Sequence, residues 1–136
     1  MTSYRILVLD DDPVNRSLVK AIVGRSADSM LSGAQLREAA TLAEARAALA
    51  AEPIDLLLLD VQLPDGLGLD LAAELRAAGG RRPAILALTA SVLPADQQAA
   101  LSAGCDAFLA KPYPADDLVR TSRFLLERGA MGGGGA

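Results

Sequence analysis

Short aliphatic runs alternate along the chain with longer segments in which apolar residues recur at helical spacing. Three of these runs, Ile6–Leu9, Ile54–Leu59 and Ala84–Leu88, show little alternation with polar residues. This pattern is typical of parallel strands that are covered on both faces. Two weaker runs, Gln35–Ala39 and Ala107–Ala110, complete a predicted sheet of five strands.

Each segment that follows a strand predicts a helix with an apolar stripe facing the sheet. Pro13 and Pro94 stand near the starts of the first and fourth helices, where proline is tolerated. Thr41 followed by Glu44 predicts a capping box at the start of the second helix. The inward stripes of the first three helices are predicted to be Leu18, Val19, Ile22 and Val23; Leu42, Ala45 and Leu49; and Leu71, Leu75 and Ala78.

Glycines indicate where several of these helices end. Gly79–Gly80 follows the third helix and Gly104 the fourth, in positions typical of helix C-termini. The fifth helix is predicted to span residues 115–127. The segment Gly24–Gly33 predicts an irregular surface loop with a ragged helix end.

Five alternations of strand and helix predict an α/β domain with a parallel sheet. The count matches the flavodoxin-like (βα)5 arrangement, a doubly wound sheet with strand order 2-1-3-4-5. We expect residues 1–128 to form this domain. A glycine run near the end of the chain cannot pack a core, so residues 129–136 are expected to form a flexible Gly-rich tail.

Composition excludes several classes of function. The 136-residue chain has a net charge of −4 and scattered arginines, which argues against a nucleic-acid surface. One cysteine and no histidine rule out an intrachain disulfide and argue against a structural zinc site. The apolar runs are too short to span a bilayer, and the N-terminus does not resemble a signal peptide. We therefore expect a cytoplasmic protein without a membrane partner.

Charged and polar residues stand where the predicted strands end. The first strand ends at Asp10–Asp12 and the third at Asp60. The fourth strand ends at Thr89 and the fifth at Lys111. In an open α/β sheet these ends meet in a crevice where ligands bind. Three or four carboxylates in one crevice repel one another and need a cation, and Mg²⁺ fits best because it takes a few oxygen ligands and leaves room for phosphate.

Each of these residues also has an ordinary structural explanation. Aspartates after a strand often cap the next helix, threonine favours strands and turns, and lysine is usually solvated. The functional interpretation depends on their joint occurrence at neighbouring strand ends. Lys111, one of two lysines in the chain, is a compact charge that suits a single phosphoryl oxygen. Pro112 after it is a candidate for a cis peptide bond.

Four stretches of the chain, in order, resemble the response-regulator receiver family. They are ILVLDDDPVNR from Ile6, DLLLLDVQLPDGLG from Asp55, ALTA from Ala87 and GCDAFLAKP from Gly104. The resemblance covers residues 4–127. One stretch alone would be weak evidence, whereas four in this order and at this spacing form a specific pattern.

The resemblance implies a phosphorylation switch of a two-component system. Asp60 resembles the phosphoacceptor, and Asp10 and Asp11 resemble the acidic pair that holds Mg²⁺. Asp60 and the backbone carbonyl of Gln62 are implied as further metal ligands. Gln62 departs from the methionine or small polar residue that is common in the family, which leaves the lifetime of the phosphate open.

Further implied roles concern the phosphoryl group and the output. Thr89 and Lys111 resemble the hydroxyl and ammonium that meet the phosphoryl oxygens. Phe108 stands where an aromatic side chain, often tyrosine, changes rotamer together with the threonine. Output is implied through the surface of the fourth helix, fifth strand and fifth helix, where Phe124 is expected to point away from the buried stripe. Alternatively, Phe108 is an ordinary core aromatic and Phe124 a single exposed apolar residue.

The implied phosphodonor is a phosphohistidine on a histidine kinase or a histidine phosphotransfer protein. We do not expect the chain to be an enzyme. The only reactions that we expect of it are self-phosphorylation from such a donor and slow self-dephosphorylation. The expected downstream contact is a protein partner or a homodimer, without nucleic acid. Two biological roles stay open: a single-domain response regulator, or a receiver from a hybrid kinase or a longer regulator.

Two other classes of protein use similar residues. A haloacid-dehalogenase-like phosphatase also uses an aspartate on a parallel strand, but its signature places a second aspartate two residues later, where this chain has Gln62. A flavodoxin-like cofactor binder needs a loop rich in Ser, Thr or Gly after the first strand. This chain has aspartates there, which would repel phosphate.

Overall fold

The computed structural model of the chain describes residues 3–80 and 82–132. The main strands are β1 (Arg5–Leu9), β2 (Gln35–Ala39), β3 (Leu56–Asp60), β4 (Ala84–Thr89) and β5 (Ala107–Ala110). The main helices are α1 (Pro13–Gly24), α2 (Leu42–Ala51), α3 (Gly68–Ala78), α4 (Pro94–Ala103) and α5 (Ala115–Gly132). A short helix, Ser29–Ser32, precedes β2, and a pair of two-residue strands, Gln62–Leu63 and Gly66–Leu67, follows β3.

The main strands form one parallel sheet in the order β2-β1-β3-β4-β5. Ile6 of β1 lies opposite Leu36 on one side and Leu56 on the other, which places β1 between β2 and β3. The predicted flavodoxin-like order 2-1-3-4-5 is therefore confirmed. The direction of winding reverses between β1 and β3, and the crevice outside their carboxyl ends is where ligands bind in such sheets.

Helices cover both faces of the sheet. Alternate strand residues such as Leu7 and Leu57 pack against α2, α3 and α4. Their neighbours, such as Ile6 and Leu58, pack against α1 and α5. Successive side chains of a strand point to opposite faces, so a strand that is covered twice needs apolar residues at every position. This explains why the aliphatic runs lack polar alternation.

The predicted cap of α2 is present with one difference. Thr41 Oγ1 accepts a hydrogen bond from the Glu44 backbone N–H at 3.1 Å. Glu44 Oε1 accepts from the N–H of Ala40 at 2.7 Å rather than from that of Thr41. Two N–H groups at the start of the helix are thus satisfied, as a capping box requires. At the other predicted boundary, α4 ends before Gly104, whose φ of 119° is unfavourable for other residues.

Two helix residues were wrongly predicted to face the core. Leu18 is 55% exposed, because Val19 and Val23 face the sheet and Leu18 lies at the side of α1. Ala78 is exposed at the last position of α3, and Ala72 is buried beside Leu71 instead. The two misplaced residues therefore have different causes: Leu18 lies at the side of the apolar stripe, and Ala78 lies at the helix end.

Three predicted boundaries also differ from the structure. β3 begins at Leu56 rather than Ile54. The predicted loop Gly24–Gly33 contains the short helix Ser29–Ser32, whose Leu31 is fully buried. α5 continues to Gly132, past the expected start of the tail at residue 129, and residues 133–136 lie outside the described residues. None of the described helices is long and apolar enough to cross a membrane.

Ser122 is a polar residue on the buried face of α5. Its side chain is fully buried, and its Oγ has no hydrogen-bond partner among the described residues. A buried hydroxyl without a partner costs free energy because it has lost its hydration. We expect Ser122→Ala to raise the free energy of unfolding by about 1 kcal/mol, measured by urea denaturation. The control is Ser17→Ala on the exposed side of α1, which gains about 0.5 kcal/mol or less from helix propensity. An equal gain in the two variants would contradict the expectation.

Candidate functional site

The ends of four strands bring the predicted site residues together. Asp60 is the last residue of β3 and Thr89 the last residue of β4. Asp10 directly follows β1, and Lys111 directly follows β5. A crevice of about 840 Å³ opens at this edge of the sheet. Its lining includes Asp11, Asp60, Gln62, Thr89 and Lys111.

Three carboxylates form a cluster at the centre of this edge. Asp10, Asp11 and Asp60 each offer an oxygen that lies within 4.8 Å of the other two. Asp10 is 3% exposed, whereas Asp11 is exposed to solvent. Carboxylate oxygens are the ligands that Mg²⁺ and other hard divalent cations prefer. The donor set of this cluster therefore fits such a cation.

Lys111 supplies a positive charge beside the cluster. Its Nζ lies 3.3 Å from Asp10 Oδ2 and 3.7 Å from Asp60 Oδ2. Its backbone N–H donates to the Thr89 carbonyl at 2.7 Å, which ties the end of β5 to the end of β4. The Lys111–Pro112 peptide bond is cis, as the sequence predicted. One ammonium thus faces two carboxylates.

Asp10 is held by contacts on both of its carboxylate oxygens. The N–H of Asp12 donates to Asp10 Oδ1 at 2.9 Å, and Lys111 contacts Oδ2. Asp12 itself caps α1, because its Oδ1 accepts from the N–H of Val14 at 2.8 Å. This contact gives Asp12 a structural role as the N-cap residue of α1. Asp11, the exposed member of the pair, keeps its carboxylate at the crevice.

Arg16 is a residue of this region that the sequence did not reveal. Its Nη1 donates to the backbone carbonyl of Asp10 at 2.7 Å, and its Nε donates to Glu38 of β2 at 3.1 Å. The guanidinium therefore links the start of the acidic loop to the neighbouring strand. A contact from a helix side chain to a loop carbonyl leaves no periodic signal, so pattern analysis could not find it.

Burial raises the pKa of the Asp60 carboxyl group above its ordinary value. Lys111 and the N–H of Gln62, which lies 3.2 Å from Asp60 Oδ1, oppose this rise. The negative charges of Asp10 and Asp11 add to it. Burial and like charges both disfavour the ionised carboxylate. A bound cation would relieve both effects.

The predicted switch residues occupy different environments. The Thr89 side chain is buried, and its Oγ1 accepts from the N–H of Ser91 at 3.0 Å. Phe108 on β5 is partly buried and packs against the core on the side of α2, α3 and α4.

Phe124 on α5 is 59% exposed, as the sequence predicted, and does not line the crevice. Gln62 is exposed beside Asp60.

Comparison with known proteins gives a consistent result. A family model described as the response regulator receiver domain matches residues 6–123. The transcriptional regulatory protein AruR of Pseudomonas aeruginosa is 35% identical over 125 residues, which cover 91% of this chain and 50% of AruR. The response regulator MprA of Mycobacterium tuberculosis is 35% identical over 126 residues, which cover 93% of this chain and 52% of MprA. The chain spans about half the length of these curated relatives.

Solved structures show the same fold. A CheY-like response regulator receiver domain protein from Methanospirillum hungatei superposes with a TM-score of 0.80 at 27% identity, covering 96% of this chain and 98% of that one. The signal receiver domain of a LuxO repressor protein from Vibrio parahaemolyticus gives a TM-score of 0.86 at 22% identity, covering 96% and 95%. The similarity to the Vibrio parahaemolyticus structure supports the fold alone.

Lys111→Met tests the charge balance of the cluster. The substitution keeps most of the aliphatic stem and removes the charge that faces Asp10 and Asp60. In EDTA we expect it to lower the free energy of unfolding by about 1–2 kcal/mol, between the usual values for exposed and buried ion pairs. Urea denaturation measures this loss.

The matched control is Lys20→Met, since Lys20 is the other lysine of the chain and pairs with Glu38 at the surface. We expect it to cost less than about 0.5 kcal/mol. Equal losses for the two variants would show that Lys111 does not compensate the carboxylates.

Proposed function

The chain belongs to the response regulator receiver domain family, and we propose that it acts as a phosphorylation switch that accepts a phosphoryl group on Asp60. As a member of this family, the chain is a receiver domain of two-component signalling. It is therefore neither a haloacid-dehalogenase-like phosphatase nor a flavodoxin-like cofactor binder. The observation that carries the proposal is the position of Asp60. It ends β3, next to the strand β1 that leads into Asp10 and Asp11, and faces the Lys111 ammonium at 3.7 Å.

Asp60 acts in this proposal as a nucleophile. One of its carboxylate oxygens attacks the phosphorus of a phosphohistidine on a histidine kinase or a histidine phosphotransfer protein. The new O–P bond forms as the P–N bond breaks, and the imidazole of the donor leaves with the electron pair. These 136 residues contain no histidine, so the donor histidine lies outside them. It has no separate substrate to turn over, and slow hydrolysis of the acyl phosphate resets the switch.

Asp10, Asp11, Asp60 and the Gln62 carbonyl would hold Mg²⁺, which supplies neutralising charge to the phosphoryl oxygens. The Lys111 ammonium already lies between Asp10 and Asp60, so it can contact a phosphoryl oxygen on Asp60 with little movement. Besides the Asp60 nucleophile, this chain therefore contributes the positive charge of Lys111, held in position beside Asp60, to the transfer. Proton transfer plays no part in this step.

The output of the switch is proposed to run through Thr89 and Phe108 to the surface of α4, β5 and α5. The Thr89 hydroxyl would exchange its contact with the Ser91 N–H for one with the phosphoryl group. Movement of Thr89 leaves space for the Phe108 ring, and packed interiors respond to such changes in discrete steps. Leu101 on α4 and Phe124 on α5 are exposed apolar residues on this surface.

The proposed downstream contact is a protein partner or a second copy of the chain. AruR is named a transcriptional regulatory protein, and half of it lies outside the match with this chain. The role of a single-domain regulator and that of a receiver within a longer protein therefore both stay open. We propose no direct contact of the receiver with nucleic acid, given its negative net charge. Its place in the cytoplasm stays a prediction.

Asp60→Asn tests the phosphoacceptor. Incubation of the wild type with acetyl phosphate and Mg²⁺ should add one phosphate, seen as one mass increment by intact-mass spectrometry. The variant should take up none, because an amide cannot form an acyl phosphate. EDTA should abolish uptake by the wild type, whereas Asp70→Asn, an exposed aspartate of α3, should leave it unchanged. Phosphate uptake by Asp60→Asn at the rate of the wild type would disprove the assignment.

Beryllofluoride, which mimics a phosphoryl group on aspartate, tests the proposed output surface. In amide NMR spectra we expect shifts at residues 89–124, including Leu101 and Phe124, in addition to those beside Asp60. Residues 47–51 at the end of α2, beyond its N-terminal turn, serve as the internal reference. Shifts confined to residues 10–12 and 60–62 would contradict a signal through α4, β5 and α5.

A further inference from the structure

The segment after Asp60 forms a small closed loop. Gln62–Leu63 pairs in antiparallel fashion with Gly66–Leu67, and the chain turns between them. The N–H of Gly68 donates to the Val61 carbonyl at 2.7 Å and closes the loop at its base. A Cβ added to Gly68 would lie 2.1 Å from the Asp60 carbonyl oxygen. The base of the loop is therefore built tightly against the phosphoacceptor residue.

Asp65, at the tip of this loop, binds the start of α2. Its Oδ1 accepts from the N–H of Leu42 at 2.9 Å, and its Oδ2 accepts from that of Ala43 at 3.2 Å. These are the first two N–H groups of the helix, and Thr41 accepts from the third, that of Glu44. The helix N-terminus carries partial positive charge, so an ionised carboxylate is favourable there. The same hydrogen bonds hold the pKa of Asp65 below its ordinary value.

The residue after Asp65 lies close to the first residue of α2. A Cβ added to Gly66, whose φ is +148°, would lie 2.9 Å from Leu42 Cδ1. Leu42 is buried in the core on that face of the sheet. The loop tip is thus fixed to a helix that the core itself holds in place.

The conformation of this loop decides where Gln62 lies. The Gln62 N–H donates to Asp60 Oδ1 at 3.2 Å, and its carbonyl is the proposed fourth metal ligand. Gln62 itself is exposed, whereas the residues on either side of it pack against the core. Its backbone position depends on these neighbours, on the base of the loop at Gly68 and on the tip at Asp65.

We propose that Asp65 is a positioning residue, which anchors the loop to α2 and so holds Gln62 beside Asp60 for metal binding and phosphoryl transfer. This role rests on the proposed function of Asp60. Through its single carboxylate, Asp65 links the loop that follows β3 to the segment that follows β2. Loss of this anchor leaves all proposed metal ligands present and removes the constraint that Asp65 places on Gln62.

The test compares Asp65→Ala with Thr41→Ala. Both variants remove a hydrogen-bond acceptor from the N-terminus of α2, and only Asp65→Ala releases the loop. We expect both to lower the melting temperature to a similar extent. Asp65→Ala should raise the Kd for Mg²⁺ about tenfold in an amide NMR titration, in the range found for residues that orient metal ligands. It should slow phosphorylation by acetyl phosphate by a similar factor, and Thr41→Ala should change neither quantity.

Hydrogen exchange gives a readout without metal or phosphate. The Gly68 amide, bonded to the Val61 carbonyl, should exchange faster in Asp65→Ala and at the wild-type rate in Thr41→Ala. Asp65→Asn, which keeps one acceptor oxygen, should lie between Asp65→Ala and the wild type in all three measurements.

Equal effects of Asp65→Ala and Thr41→Ala on Kd and exchange would reduce Asp65 to a helix cap and overturn the proposal. So would a wild-type Kd in Asp65→Ala. If the wild type takes up no phosphate on Asp60, the proposed function fails, and the Mg²⁺ and exchange measurements still decide the role of Asp65.

Discussion

The parallel sheet holds the carboxylates of Asp10, Asp11 and Asp60 within 4.8 Å of one another, and other features of the site respond to this constraint. Their mutual repulsion follows from the fold, because the strand ends that carry them cannot move apart without disturbing a core that is buried on both faces. Lys111 offsets part of the repulsion. Burial and the like charges of Asp10 and Asp11 nevertheless keep the pKa of Asp60 above its ordinary value. The crevice is thus suited to a divalent cation and to chemistry in which charge changes on Asp60.

Direct contacts connect Asp60 to the rest of the domain, so a change of its charge can affect neighbouring elements. Lys111 contacts Asp60 through its side chain and Thr89 through its backbone, so the ends of β4 and β5 are joined at this point. These two strands lead to the proposed output surface on α4 and α5. On the other side, the loop from Asp60 to Gly68 is tied to α2 by Asp65. We propose that the side anchored to α2 keeps the proposed ligands in place and that movement occurs on the side of β4 and β5.

Much of this arrangement could be predicted from the sequence. Aliphatic runs identified three of the five strands clearly and the other two weakly. The residues that end the strands identified the cluster of Asp10, Asp11, Asp60 and Lys111, because parallel strands align their ends. Helix faces were less certain, as Leu18 shows, since a small rotation of a helix moves a residue from the core to its side. The contacts of Arg16 and Asp65 with distant backbone groups could not be predicted at all. Such contacts join residues that are far apart in sequence or lie in irregular segments, and they leave no periodic pattern.

The most direct test of this account is the melting temperature of the wild type and of Asp11→Asn, each measured in EDTA and in saturating MgCl₂ at matched ionic strength. Asp11 is the exposed member of the cluster, so its substitution removes one charge with little change in packing. We expect the variant to be the more stable protein in EDTA, because the repulsion between the carboxylates is lower. We also expect Mg²⁺ to raise its melting temperature much less than that of the wild type. An equal gain of both proteins from Mg²⁺, with no advantage of the variant in EDTA, would contradict this account.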